Sequence, residues 1–175
     1  MGKKVIKIGL SASEIDKAIK EIEQYKQDVL KKFDIFCDRF AKEIESEAQL
    51  GFNSSLVDDI IKGGSPHTAK VTVTAQPANG GVRVIIAEGE DAVWCEFGAG
   101  VYHNGSAGSS PNPLGAELGF TIGSYGQGKG KQTAWGYVKD GEVHVTRGTP
   151  ATMPMYNAVQ SVLSKMVQIA KEVYG

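Results

Sequence analysis

The sequence predicts an α+β fold: a long N-terminal helix and a C-terminal helix packed on a small, mainly antiparallel sheet, with a long glycine-rich loop. Three observations carry this expectation. Apolar residues recur three or four positions apart from Ile15 to Ala48, with one gap near Tyr25 and Lys26. The same period returns from Met155 through Val159, Val162, Met166, Ala170 and Val173. Between these runs the pattern changes to period two, in AKVTVTA and GVRVIIAE. The 175 residues are enough for one domain, 1–175, with a core of ordinary size. It divides into a helix over 14–50, strands over 69–97, a flexible loop region over 98–132, a hairpin over 133–147 and a helix over 153–174.

The first helix has a start signal. Ser11 and Glu14 form S-x-x-E, a capping box in which the carboxylate returns to the Ser11 amide. Acid-to-base pairs four residues apart, such as Asp16 with Lys20 and Asp38 with Lys42, support its polar faces. Leu50-Gly51 is the expected stop, and Ser54 to Ile61 adds at most a further turn. Unbroken, this helix is about 54 Å long at 1.5 Å per residue. That exceeds the diameter of a compact domain of this size, so either it bends or part of its apolar stripe meets something outside its own domain.

In the middle third, Val71, Val73 and Ala75 share one strand face, and Val82, Val84 and Ile86 lie together on the next. PANGG between them is a hairpin turn. DAVWCEFG is a strand or a short helix, which periodicity does not decide. Asp140-Gly141 is a two-residue turn that sets Lys139 opposite Glu142.

Net charge is −1 and charged residues make up 22%, which excludes a polyanion-binding protein of strongly basic character and an acidic disordered chain. Cys37 and Cys95 are read as two free thiols of an intracellular protein. No apolar run has the length of a membrane span. MGKKVIKIGL is too short in its apolar part for a signal peptide and lacks a myristoylation pattern. It reads as a short strand, Val5 to Leu10, of a chain soluble and cytoplasmic when made.

Glycine accounts for 22 residues, and 13 of them lie between Gly98 and Gly148. Within this region Gly123 to Lys129 spells G-x-x-x-x-G-K, most of a phosphate-binding loop. Gly130 stands where that loop needs Ser or Thr for a metal, and a hairpin follows instead of a helix. The segment is therefore expected to be a loop that orders on a partner, and no cofactor is expected. Cys95 with His103 is the one nucleophile–base pair to weigh, as a small cysteine- or metal-dependent hydrolase. His67, His103 and His144 have no ligand spacing with Cys95. No catalytic or metal site is expected.

Two stretches hold unusual apolar residues. VWCEFGAGVY sets Trp94, Glu96, Phe97 and Tyr102 beside glycines, and TRGTPATMPMYNA sets Arg147, Pro150, Met153 and Pro154 at a strand-to-helix junction. They serve either as local packing for the last helix or as a contact surface for a neighbouring chain. A binding module for some other host protein would use the same residues.

These stretches resemble the motifs of the neck or tail-completion proteins of long-tailed double-stranded DNA phages, often labelled head–tail joining or minor tail component. VWCEFGAGVY resembles their aromatic-x-Glu-Phe/Tyr-Gly-Thr-Gly motif, and TRGTPATMPMYNA their closing motif of proline, a large apolar residue and a helix beginning near an alanine. AWGYVKDG stands where the family has a GW-x-Y strand, and the order of elements agrees over most of the chain. Ala99 replaces the usual Thr, and QLGFNSSLVDDI lacks the family's Pro-x-Asp-Thr-Gly segment. The resemblance implies a non-catalytic virion protein, made in the bacterial cytoplasm. It implies a ring of copies, usually sixfold, between the connector or stopper and the tail tube. DNA passes through such a ring, so Lys129 and Lys131 are expected to make at most weak, non-specific phosphate contact, with no membrane involved.

Overall fold

A computed structural model of the chain describes residues 9, 11–57, 66–98, 114–118, 135–146, 149 and 151–175. In chain order the elements are helix α1 (Ala12–Ser54), strands β1 (Leu56–Val57), β2 (His67–Thr68), β3 (Thr72–Pro77) and β4 (Arg83–Glu88), helices α2 (Ala92–Phe97) and α3 (Leu114–Glu117), strands β5 (Trp135–Lys139) and β6 (Glu142–Thr146), and helix α4 (Pro154–Tyr174). The fold is α+β, as the periodicities predict. Among the described residues the strands form three separate antiparallel pairs, β1–β2, β3–β4 and β5–β6, and not one sheet. The strand expected over 5–10 and most of the loop over 98–132 lie outside the described residues, apart from the short α3 within the latter.

α1 begins where the capping box places it. The Glu14 carboxylate takes the Ser11 amide at 3.4 Å and the Ser11 hydroxyl at 2.5 Å, which holds the Glu14 carboxyl below the usual carboxylate range. The helix runs past the expected stop at Gly51 to Ser54. Gly51 is there for a close approach: a Cβ on it would lie 2.9 Å from Pro154 Cβ and 3.2 Å from Pro154 Cα. At this crossing α4 starts, and it then runs antiparallel to α1. Lys165 pairs with Glu47, Arg39 with Glu172 at 2.6 Å, and Lys32 Nζ donates to the Tyr174 carbonyl at 3.4 Å. The core lies along this seam, where Ile44, Ala48 and Phe52 of α1 meet Ala158, Val162 and Ile169 of α4. Phe52 and Val162 are wholly buried, each contributing about 1.5–3 kcal/mol by burial.

The α4 stripe differs at one place from its sequence pattern. Ile169 is buried, whereas Met166 is exposed together with Leu163 and Val167. A period of 3.6 brings Ala158, Val162, Lys165 and Ile169 over α1, and Met166 falls to the side of that line.

The β3–β4 hairpin lies on the other flank of α1. PANGG makes its turn, and the register runs from Thr72↔Glu88 to Pro77↔Arg83. Val71 and Val73 face the core as expected. On β4 the alternation resolves the other way: Ile85 and Ala87 pack on the core, whereas Val82 and Val84 are exposed. The reason is Arg83. Its guanidinium bonds Asp34 and Asp38, two carboxylates one turn apart on α1, so the Arg83, Ile85, Ala87 face must be the inner one. The free edge of β3 is also closed by α1. Gln49 Oε1 accepts the Val73 amide at 2.8 Å while its Nε2 donates to the Val71 carbonyl at 3.0 Å, and Glu45 Oε2 accepts the Ala75 amide at 3.2 Å.

The segment 92–97, counted within the strands over 69–97 but open to either strand or short helix, is the short helix α2. Asp91 ties its start to the chain before β3, accepting the Lys70 amide at 2.9 Å and lying 3.2 Å from His67 Nε2. The β5–β6 hairpin forms as expected, with Lys139↔Glu142 beside the Asp140-Gly141 turn and positive φ at both turn residues, 53° and 79°.

Two outcomes are expected from this packing. Gly51→Ala raises helix propensity by about 1 kcal/mol but forces α1 and α4 apart, an overpacking cost of about 1–3 kcal/mol. Urea unfolding should therefore show a net loss of stability where propensity alone predicts a gain. The second concerns pH. Asp38 is held below its usual value by Arg83, Glu47 by Lys165 and then Ser161, and Glu172 by Gln168 and then Arg39. Carboxylates lowered in the folded state stabilise it above the unfolded value of about 4 and lose that contribution as pH falls through the folded value. The thermal midpoint should be flat from about pH 6 to 8 and fall below about pH 4.5, with a shallower acid limb in Glu47→Gln.

Candidate functional site

The two stretches singled out in the sequence meet at the start of α4. Met153 precedes the helix in the left-handed conformation (φ 52°, ψ 52°), and Pro154 occupies its first position. Met153 has no side chain able to cap, and a β-carbon in that conformation costs about 1–2 kcal/mol. The cap comes from α2. Glu96 Oε2 accepts the Met155 amide at 2.9 Å and Oε1 accepts the Tyr156 amide at 3.1 Å. A single carboxylate thus satisfies two amides that the helix geometry leaves open, at the end where the macrodipole favours negative charge. The Cys95 carbonyl accepts the Thr152 amide at 2.9 Å and the Met153 amide at 3.1 Å, which holds the strained residue in place. The Ser55 hydroxyl, just past α1, donates to the Gly51 carbonyl at 2.8 Å and lies 2.6 Å from the Thr152 hydroxyl.

α2 ends at Gly98, whose φ of 77° suits glycine. A Cβ there would sit 3.2 Å from Ala151 Cβ. The segment before α4 therefore passes directly against the end of α2. Glu96 is 6% exposed and Phe97 8%. Trp94 and Met153 are half-buried. Glu96 thus joins α2 to the start of α4 beside Pro154, and Phe97 at the end of α2 is buried. Tyr102, Arg147, Pro150, Lys129 and Lys131 lie outside the described residues.

Cys95 is wholly buried within this joint, and burial, reinforced by Asp91 and Glu96, pushes its thiol up to about 11. A thiolate nucleophile needs the opposite shift and an approach for substrate. His103, its suggested base, lies outside the described residues, as do the side-chain surroundings of His144. Among the described residues no three His, Cys, Asp or Glu side chains converge as a metal site. An open groove of about 520 Å³ lies beside β3, lined by Lys42, Glu45, Ser46, Gln49, Leu50 and Val73. Its Glu45 and Gln49 are already bonded to the strand edge.

The larger feature is the free part of α1. Lys32 is level with the end of α4, and Asp34 and Asp38 with the turn end of the hairpin. Residues 12–31 continue beyond both for about 30 Å. Among the described residues no hydrogen bond or ion pair joins this arm to another element. Apart from Ala18 and half-buried Val29 its residues are exposed. Ile15, Ile19 and Ile22 prolong the α1 face that packs on the core, yet they are 43%, 48% and 51% exposed. The over-long helix of the sequence is thus unbroken over Ala12–Ser54, and among the described residues no other element covers the stripe of its first half. α4 presents Leu163, Met166 and Val167 outward, and the β5–β6 hairpin exposes Val138 and Val143, partners across its ladder.

The arm was legible in the sequence as excess length. The role of Glu96 was not, because nothing local links residue 96 to residue 155. The available signal was negative: TMPM opens a helix with Pro at its first position and Met153, not Ser, Thr, Asp or Asn, at the N-cap, so its amides need a cap from elsewhere.

Removing that cap should be costly. Glu96→Ala leaves two amides unsatisfied and is expected to destabilise the fold by about 2–3 kcal/mol. Glu96→Gln keeps an acceptor and should lose less. Hydrogen exchange at Met155 and Tyr156 should accelerate in both variants, most in Glu96→Ala, while amides at the centre of α1 keep their order of protection. Family models, curated proteins and solved structures were compared with the chain, and none matches it.

Proposed function

We propose that this protein is a structural component of a long-tailed double-stranded DNA phage. It assembles as a ring of copies at the head–tail interface and joins the tail to the capsid connector without catalysing a reaction. The observation that carries the reading is the α1 arm: its Ile15, Ile19 and Ile22 are exposed, and among the described residues no other element covers them, so the face suits another chain. A head-to-tail ring needs two different surfaces on each copy, and the arm and the outward face of α4 are two such surfaces. The resemblance of VWCEFGAGVY and TRGTPATMPMYNA to the tail-completion motifs supports the same reading, and their contact through Glu96 gives those motifs a common purpose in the fold. The partners are further copies in a hexameric ring, the connector or stopper on one side and the tail tube on the other. Lys129 and Lys131 contribute at most weak contact with passing DNA.

Particles assembled without the protein test this. Electron microscopy should show filled heads and separate, complete tails, with joining restored when the protein is added back. Normally joined virions in its absence would contradict the proposal.

A further inference from the structure

The α1 arm and the outer stripe of α4 are each uncovered, and they match. Ile15, Ile19 and Ile22 occupy two turns of one helix, and Leu163, Met166 and Val167, followed by half-buried Ala170, occupy two turns of the other. The arm's stripe is the continuation of the face that already packs on α4 within the chain, so its chemistry suits a helix of that kind. Within the chain, residues 154–174 of α4 lie along α1 from Gly51 to Lys32, and the arm lies beyond that contact. The charges also agree. Asp16 and Glu23, seven residues apart, border the arm's stripe on one flank, and Lys171 borders the α4 stripe one turn beyond Val167; all three are exposed.

We propose that the α1 arm of one copy packs through Ile15, Ile19 and Ile22 on the Leu163–Met166–Val167 stripe of α4 in the next copy, with Asp16 and Glu23 facing Lys171. The inference rests on the ring reading above and names its subunit contact. The contact is heterologous: each copy gives an arm to one neighbour and receives an arm from the other, so copies add until the ring closes. Pairing of two arms with each other would end at a dimer and leave the α4 stripe bare.

Site-directed cross-linking tests this on the full chain. In a Cys37→Ser background, with Cys95 buried, two forms are made, Ile19→Cys and Val167→Cys, mixed, and treated with a short bismaleimide. The expected result is a covalent dimer in the mixture, several-fold more abundant than in either form alone. Lys171→Glu in the Val167→Cys form should reduce it several-fold, and Asp16→Lys with Glu23→Lys in the partner should restore it. Equal linkage of Ile19→Cys with itself, or no linkage at any protein concentration, would overturn the proposal. The two readings fail separately. Joined virions without the protein, alongside positive cross-linking, would remove the head–tail role alone. Separate heads and tails, alongside negative cross-linking, would remove this contact alone.

Discussion

The fold depends on the C-terminal half of one helix. From Phe33 to Ser54, α1 supplies the surface on which both α4 and the β3–β4 hairpin lie, and neither has a comparable partner among the described elements. Apolar burial along Ile44, Ala48 and Phe52 is the main stabilising term. Polar side chains of the same helix fix how the two elements sit. Gln49 and Glu45 close the β3 edge, Asp34 and Asp38 hold Arg83, and Glu47 and Arg39 hold α4. A two-stranded hairpin alone is marginal in water; here the helix serves as its third partner.

The joint between α2 and α4 completes that arrangement. Glu96 caps α4, the Cys95 carbonyl holds the turn before it, and Gly51 lets Pro154 close on α1. The start of α4 is thereby located by two separate elements, α1 and α2. The outward face of α4 is then held at a defined angle to α1, which is what a subunit of the proposed ring would need. If its two docking surfaces moved independently, each contact would lose part of its free energy to ordering.

Local chemistry was legible in the sequence and non-local chemistry was not. The Ser11–Glu14 box, the PANGG turn and the Asp140-Gly141 turn are set by residues within a few positions of one another, and each forms where its pattern places it. Gly51 carries a helix-stop signal, yet the helix continues, because Pro154, a hundred residues away, needs the space. The β4 alternation has two apolar faces, and Arg83 decides between them through aspartates on α1. DAVWCEF is helical because Asp91 and Gly98 fix its ends by contacts with distant chain, an effect invisible to periodicity. Of the residues singled out as an interaction surface, Glu96 and Pro154 lie in the joint and Phe97 is buried. The arm, which exposes Ile15, Ile19, Ile22, Tyr25 and Leu30, had length and not composition as its signal.

An isolated helical arm of some twenty residues is marginal in water, so its ordering should track its burial. Hydrogen exchange followed over residues 12–31 as a function of protein concentration therefore tests the central claim most directly. In dilute, monomeric protein the arm should exchange orders of magnitude faster than residues 33–52, and in the assembled state it should approach their protection. An arm that remains as open in the assembly as in the monomer, or that is fully protected at every concentration, would contradict the claim that other copies of the chain cover it.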